Sequence, residues 1–397
     1  MPEFHGLASN PFYEKYDHEL VGASRKQQLL SVSEIVRNSA RSRAPFIVTM
    51  SGTVGMGKSF TLIVLAKEFD SESFRSKFGP ILAIKMDAIL AVNAGKYIQY
   101  VVASTFRELG KQGFAVIRSK FETEVTKKKD PEEILSNLQT DFRNALLKFG
   151  DNEELIWAWL TGEKADLREL KKIGIRNKID TPTFALQILG EFCKVLRITG
   201  HSGLLLCLDE AEELALSGSR KLVEILTMLK KILEHSKSQM SSSPDRAVPI
   251  IFCLGFTPET LNLITGEEFI ESELKRTGAA GLNTFIRRMS REARFKLEAF
   301  SDADATEFVI VILNKARKKV LQSPSPFSAG AVKYINGLSR GIPGTIIDTC
   351  RVCLEEADKR KTKTISEDNC KDWLIERGII SETSEEDLGE EVEATEI

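Results

Sequence analysis

The chain of 397 residues has no uninterrupted apolar run near the ~18 residues that a membrane span requires, and Met1 to Asn10 shows no secretory leader pattern. These absences lead to the expectation of a soluble, cytoplasmic protein with no membrane partner. Cysteines are few and scattered, at 193, 207, 253, 350, 353 and 370. Only Cys350 and Cys353 lie close, and no second pair completes a tetrahedral set, so neither a disulfide framework nor a zinc site is expected. No internal repeat is visible. Bases are missing after Arg377, where Glu382, Glu385, Glu386, Asp387, Glu390, Glu391, Glu393 and Glu396 follow one another in a segment poor in apolar residues. A solvated acidic tail over 378–397 is expected. Setting those eight acids aside turns the formal charge of -2 into +6, so the body is mildly basic and compatible with a polyanionic partner.

What is present is a 42% hydrophobic composition, enough for ordinary cores and, at this length, for roughly two to three domains. Apolar periodicity alternates between strands and helices, which predicts an α/β domain with a largely parallel sheet. Strands are expected at 46–50, 80–86, 203–208, 248–254 and 294–297. The third, Gly203-Leu204-Leu205-Leu206-Cys207-Leu208, is apolar throughout and so buried on both faces. A long helix is expected around Lys221 to Glu234, followed by a loop at Ser241 to Pro244. Between about 95 and 200 the pattern is helical, with caps at Asp130 and Thr181, and its Lys127-Lys128-Lys129 run reads as a solvated loop. From Asp302, with Ser301 or Asp302 as N-cap, the pattern is helical only. The chain thus divides into an α/β domain over 1–300 with a helical insertion, an all-α domain over 301–377, and the tail.

Gly52-Thr53-Val54-Gly55-Met56-Gly57-Lys58-Ser59 fits G-x-x-x-x-G-K-[ST] and lies between a predicted strand and a predicted helix that continues through Phe60. In that context the glycines let backbone N–H groups converge on phosphates at a helix N-terminus. Lys58 would reach the β- and γ-phosphates of ATP, and Ser59 would offer its hydroxyl to Mg²⁺. The apolar strand ending at Leu208 presents Asp209 and Glu210 at its carboxyl end, the edge where open parallel sheets bind ligands. Asp209 is suited to hold Mg²⁺ through water, and Glu210 to orient or deprotonate the attacking water. Lys58 and Asp209 stand 151 residues apart, whereas two βα units need only about 60, so about 90 residues form an inserted helical element.

With these motifs in place, the chain resembles the AAA+ ATPases, above all the replication-initiator and transposition-ATPase clade. Asn10, Pro11 and Phe12 are similar to that family's adenine-approaching segment, and Val21-Gly22 with Arg25 to the stretch after it. Cys253 to Thr257 resembles the sensor-1 strand, which implies that Thr257 contacts the γ-phosphate or the water. Phe285 to Arg291 sits where the family carries its arginine finger, which implies Arg288 or Arg291 in that role, with Arg287 in the same cluster. Ser301 to Trp373 is similar to the family's helical lid. Two departures stand out. Gly341-Ile342-Pro343-Gly344 matches the lid's Gly-x-Pro-Arg without its arginine, although Arg340 lies just upstream. The residues beyond the lid, Leu374 to Ile397, are too few for a winged-helix DNA-binding domain. A narrower resemblance, to the ATP-binding proteins of BREX-type phage-defence systems, is carried by Trp159-Leu160-Thr161-Gly162-Glu163 and by Thr199-Gly200-His201-Ser202-Gly203-Leu204 leading into Asp209-Glu210. His201 itself reads as a loop histidine without chemistry.

The resemblance implies a P-loop NTPase core of AAA+ type with a helical insertion and a C-terminal all-α lid. It also implies an ATPase using ATP and Mg²⁺, a homo-oligomer, and an action on DNA or on a DNA-bound protein partner. The alternative is a nucleotide-operated switch or scaffold with slow hydrolysis and only protein partners. A small-molecule kinase using the same loop fits the lid and sensor order less well.

Overall fold

A computed structural model of the chain describes residues 7–13, 20–70, 80–88, 94–211, 218–242, 247–267, 269, 281–291 and 293–381. The acidic residues from Glu382 onward lie outside them. The chain forms two compact units: Gln28–Thr53 with Lys58–Lys296, and Met1–Gln27 with Val54–Gly57 and Leu297–Ile397.

The larger unit is built on five parallel strands in the order β2-β3-β4-β1-β5, where β1 is Phe46–Ser51, β2 Ile81–Asp87, β3 Gly203–Asp209, β4 Ile250–Phe256 and β5 Arg294–Lys296. β3 and β4 are buried at every position, as continuous apolar strands between helical layers should be. β4 starts two residues later than its apolar run suggests. Pro249 has no N–H to give a ladder, and Val248 N instead donates to Cys193 O at 3.2 Å. The ladder opens at Ile250, whose N–H is taken by Ser236 Oγ at 3.0 Å.

Helices α1 (Ala23–Ser42) and α2 (Lys58–Asp70) flank β1 in sequence. The insertion comprises α3 (Tyr97–Thr126, interrupted at Gly110), α4 (Pro131–Ser136), α5 (Thr140–Lys148), α6 (Glu153–Leu160), α7 (Leu167–Lys172) and α8 (Pro182–Ile198). Its starts are set by side chains: Asp130 accepts from Glu133 N at 3.0 Å and Thr181 from Phe184 N at 3.3 Å. Phe106, Phe114, Phe142, Phe149, Trp157 and Phe192 join one apolar core with the strand residues Leu204, Leu206, Phe252 and Leu254. The insertion is therefore part of the sheet unit's core and has no separate core of its own among the described residues. Helix α9 runs over Ser219–Ser242, longer than expected because Met240 keeps its apolar face buried. Helices α10 (Pro258–Thr265) and α11 (Leu282–Arg291) complete the unit.

The smaller unit holds α12 (Asp302–Ala316), α13 (Ala329–Leu338), α14 (Pro343–Arg360) and α15 (Glu367–Glu376). Ser301 caps α12 reciprocally with Asp304, its hydroxyl accepting from Asp304 N at 3.2 Å while Asp304 Oδ2 accepts from Ser301 N at 3.2 Å. Phe12, Val21, Phe300, Phe308, Ile335, Cys350, Cys353 and Trp373 belong to its core. All six cysteines are buried as free thiols, three in each unit. Among the described residues no helix is long and apolar enough to cross a membrane.

Candidate functional site

Parallel strands put all their carboxyl ends on one edge, and the strand order sets which residues meet there. β4 lies between β3 and β1, so Asp209 at the end of β3, Thr257 after β4 and the Gly52 turn after β1 stand side by side. Gly52 N donates to Phe256 O at 3.2 Å, which ties the start of the P-loop to the end of β4. Further along the loop Gly55 and Gly57 have φ of +80° and +86°, conformations that cost a side-chain-bearing residue about 1–2 kcal/mol. Lys58 opens α2 and is 7% exposed, and its ammonium donates to Gly52 O at 2.8 Å and Thr53 O at 3.4 Å. The loop thus curls around its own lysine. Ser59 and Phe60 follow, half-buried, in the first turn.

The turn after β3 is more tightly determined. Ala88 N donates to Asp209 O at 2.8 Å, and Ala211 N to Gly255 O at 3.0 Å, so both ends of the dipeptide are fixed to neighbouring strands. Glu210 between them is held at φ +54°, exposed, with its N–H on Asp209 Oδ1 at 3.0 Å. Strain of this kind at a carboxylate, held by the surrounding backbone, is characteristic of functional sites.

Asp209 has a side chain only 3% exposed, and its Oδ2 is met by Lys85 Nζ of β2 at 2.9 Å. Burial pulls the Lys85 ammonium down, but the hydrogen bond and charge of Asp209, joined by Asp87, outweigh it, and the group sits above its usual value. Sequence reasoning missed Lys85, because a lysine inside an apolar strand gives no sign of which carboxylate it will reach. The available signal was its position two residues before the end of a strand adjacent to β3. Asp209 and Ser59 offer oxygen donors only, which suits a hard cation such as Mg²⁺. No cluster of three or more His, Cys, Asp or Glu side chains able to hold a metal occurs among the described residues.

Thr257 is engaged as the N-cap of α10. Its hydroxyl oxygen accepts from Thr260 N at 3.3 Å and donates to Thr260 Oγ1 at 3.1 Å. His201 lies before β3 with Nδ1 2.9 Å from Thr199 Oγ1, in a turn whose backbone is fixed by Ser202 N on Pro80 O at 2.9 Å. The Trp159 step also has a structural part, since the Trp159 indole donates to Asn177 O at 2.8 Å and Arg107 to Thr161 O at 2.8 Å. Helix α11 does end just before β5. Arg287 on it is exposed and donates to Asn283 Oδ1 at 2.9 Å, whereas the side chains of Arg288 and Arg291 lie outside the described residues. A cleft lined by Phe46, Ile47, Lys230, Lys237 and Phe285 opens at the amino end of β1, the edge opposite the P-loop.

In the smaller unit, Asn10 Oδ1 accepts from Phe12 N at 3.1 Å, Pro11 is buried, and Phe12 packs edge-on against Phe327 at 6.2 Å. Arg25 is 5% exposed. It donates to Met56 O and Glu298 O, both at 2.9 Å, and its guanidinium lies 4.2 Å from the Phe300 ring centroid. Burial lowers its pKa to about 10, against the pull of Asp304. Gly344, where the lid arginine would stand, donates its N–H to Gly55 O at 2.9 Å. A Cβ on Gly344 would meet Gly55 Cα at 3.0 Å and Gly55 O at 3.1 Å, both backbone atoms. No side chain fits there without moving the loop. Arg340 is exposed in the preceding turn, at φ +50°.

Against known proteins, the family profile of the BREX system ATP-binding protein BrxC/D matches residues 115–310, close to half of the chain and including the Trp159 step and Asp209-Glu210. The ORC2 protein of Aeropyrum pernix, in a structure of its ADPNP-ADP complexes, is similar over 96% of this chain and 75% of that one, with TM-score 0.54 and 16% identity. The ADP form of the same protein gives TM-score 0.54 at 14% identity over 94% and 73% of the two chains. Drosophila ORC bound to DNA gives 0.48 at 11% identity over 94% of this chain and 65% of that one, so the present chain spans less than two thirds of that relative. No curated protein is significantly similar in sequence. The fold, an α/β parallel-sheet core with a helical C-terminal region, is similar to that of the ORC2 protein, and the chain carries a BREX-type resemblance over residues 115–310.

Proposed function

We propose that this protein binds ATP with Mg²⁺ at Gly52–Ser59 and hydrolyses it, and that an oligomer of it couples nucleotide state to action on DNA or a DNA-bound partner. The observation that carries the reading is the convergence, at one sheet edge, of the P-loop after β1 and the strained Asp209-Glu210 turn after β3. In this reading the backbone N–H groups of Gly55 to Ser59 and the start of α2 hold the phosphates. Lys58, released from its two carbonyls, turns to the β- and γ-phosphates. Mg²⁺, when bound, would neutralise charge on the phosphate oxygens. Ser59 and Asp209 would hold it, directly and through water. Glu210 accepts a proton from water, whose oxygen forms the new bond to the γ-phosphorus while the bond to the bridging oxygen breaks and ADP departs with that electron pair. Asn10, Pro11 and Phe12 would stand nearest the adenine, and Thr257, if its cap opens, would turn to the γ-phosphate. The formal +6 of the body supports a nucleic-acid partner.

Lys58→Ala is expected to abolish MgATP binding by isothermal titration while the protein stays folded, losing only about 1–2 kcal/mol with its two carbonyl hydrogen bonds. Glu210→Gln should bind ATP and turn it over at least ~10²-fold more slowly. Unchanged affinity in the first, or wild-type turnover in the second, would overturn the site. A second reading, a slow nucleotide switch with protein partners only, is favoured by glycine at 344, where the Gly55 backbone leaves little room for a side chain. ATPase rates with and without DNA, at low and raised salt, separate the two. A DNA-coupled machine should be stimulated and should lose that stimulation steeply with salt.

A further inference from the structure

The chain supplies its own cation to Asp209, and the role inferred for that cation rests on the reading that Gly52–Ser59 binds ATP. β2 and β3 pair with Lys85 beside Cys207 and Asp87 beside Asp209. Because side chains two residues apart share a face, the Lys85 stem can run along the strand to the carboxyl edge. There Nζ stands 2.9 Å from Asp209 Oδ2 and 3.2 Å from Asp87 Oδ1. The two carboxylates are not equivalent partners. Asp209 is 3% exposed, where an ion pair is little screened, whereas Asp87 is 59% exposed and reaches water. Lys85 Nζ stands on Oδ2 and Glu210 N on Oδ1, so each oxygen of the carboxylate already accepts one hydrogen bond within the chain.

We propose that Lys85 is a positioning residue that holds the Asp209 carboxylate in place and competes with the divalent cation for it, so that its charge sets the Mg²⁺ requirement of nucleotide binding. Two cations at one carboxylate repel, and the coupling is reciprocal: whatever strengthens the hold of Lys85 on Asp209 weakens the hold of Asp209 on the metal. Asp87 makes the exchange possible. Nζ already touches both carboxylates, so Lys85 can shift its weight to the exposed one without entering bulk solvent unpaired.

The test is a Mg²⁺ titration of binding to a fluorescent ATP analogue, in parallel with thermal melting without nucleotide. Lys85→Gln keeps a donor toward Asp209 and removes the charge. It should reach half-saturation at Mg²⁺ concentrations lower by about fivefold or more. Lys85→Met should do the same with a lower melting temperature. Lys85→Arg, which keeps the charge, should stay closer to wild type. Asp87→Asn removes the alternative partner, commits Lys85 to Asp209, and should raise the Mg²⁺ requirement. Should Lys85→Met not fold, Lys85→Gln and Asp87→Asn still predict opposite shifts. An unchanged or raised Mg²⁺ requirement in folded Lys85→Gln overturns the proposal while leaving ATP binding intact. A wild-type protein that takes up no ATP analogue at any Mg²⁺ concentration overturns the ATP reading itself, and this proposal with it.

Discussion

Glu210 shows how a single residue can be set against the stability of the chain that carries it. Its neighbours fix the backbone, so the strain of φ +54° is offset by hydrogen bonds on both sides. Replacing it with glycine should relieve that strain and stabilise the protein by up to about 1 kcal/mol in a denaturant titration, while removing the carboxylate and with it hydrolysis. A destabilised Glu210→Gly protein would mean that the side chain, through contacts of its own, outweighs the strain. His235 makes a pH prediction. Burial, then the nearby Lys194 charge, lower its pKa below the ordinary 6.5, against a backbone hydrogen bond with Leu186. A folded-state value below the unfolded one means that the unfolded chain binds the proton first. The stability that His235 contributes in its neutral form is therefore present above pH 6.5 and lost as pH falls through the folded value. Denaturant midpoints for wild type and His235→Gln should run parallel above about pH 7 and draw together as pH falls below 6.5, with the wild type falling faster.

Among the elements, those with a local physical cause were legible in the sequence. The unbroken apolar strand before Asp209, the glycine-rich turn between strand and helix, and the caps at Asp130, Thr181 and Ser301 each follow from a few neighbouring residues, and each stands where it was expected. What depends on a distant partner was not legible. β4 slips two residues because of a proline, a cysteine carbonyl far back in the chain and a serine on α9. Lys85 acquires meaning only through β2–β3 register. The glycine at 344 looks like the loss of an arginine until the P-loop backbone is found against it. That contact yields a prediction at this scale. Gly344→Ala must push Gly55 or the start of α14 aside and should cost about 1–3 kcal/mol. Gly344→Arg, the substitution that would restore the initiator-like motif, should be worse. If Gly344→Arg folded with wild-type stability and raised ATP turnover, the close approach would have no structural weight.

For the whole molecule, on the proposed ATPase reading, glycine in place of arginine at 344 leaves the transferring phosphoryl group one positive contact short, and an arginine supplied in trans can be worth ~10³-fold or more. We expect activity per subunit to rise with protein concentration. Arg288→Ala or Arg291→Ala should lose hydrolysis while keeping ATP binding, and mixing either with Glu210→Gln should partly restore turnover through mixed interfaces. Concentration-independent activity from a strict monomer would count against this and direct attention to Arg340. The buried thiols allow the two units to be followed separately without labels or mutation. Cys193, Cys207 and Cys253 are enclosed in one unit and Cys350, Cys353 and Cys370 in the other. Each reacts with an alkylating reagent only when its surroundings open; until then burial holds Cys193 and Cys350 away from the reactive thiolate, and hydrogen bonding to Cys253 and Cys370, then burial, does the same for Cys207 and Cys353. Peptide masses recorded during slow alkylation would therefore give two clocks from one sample. Comparing them with and without nucleotide would tell which half of the protein a ligand quiets first.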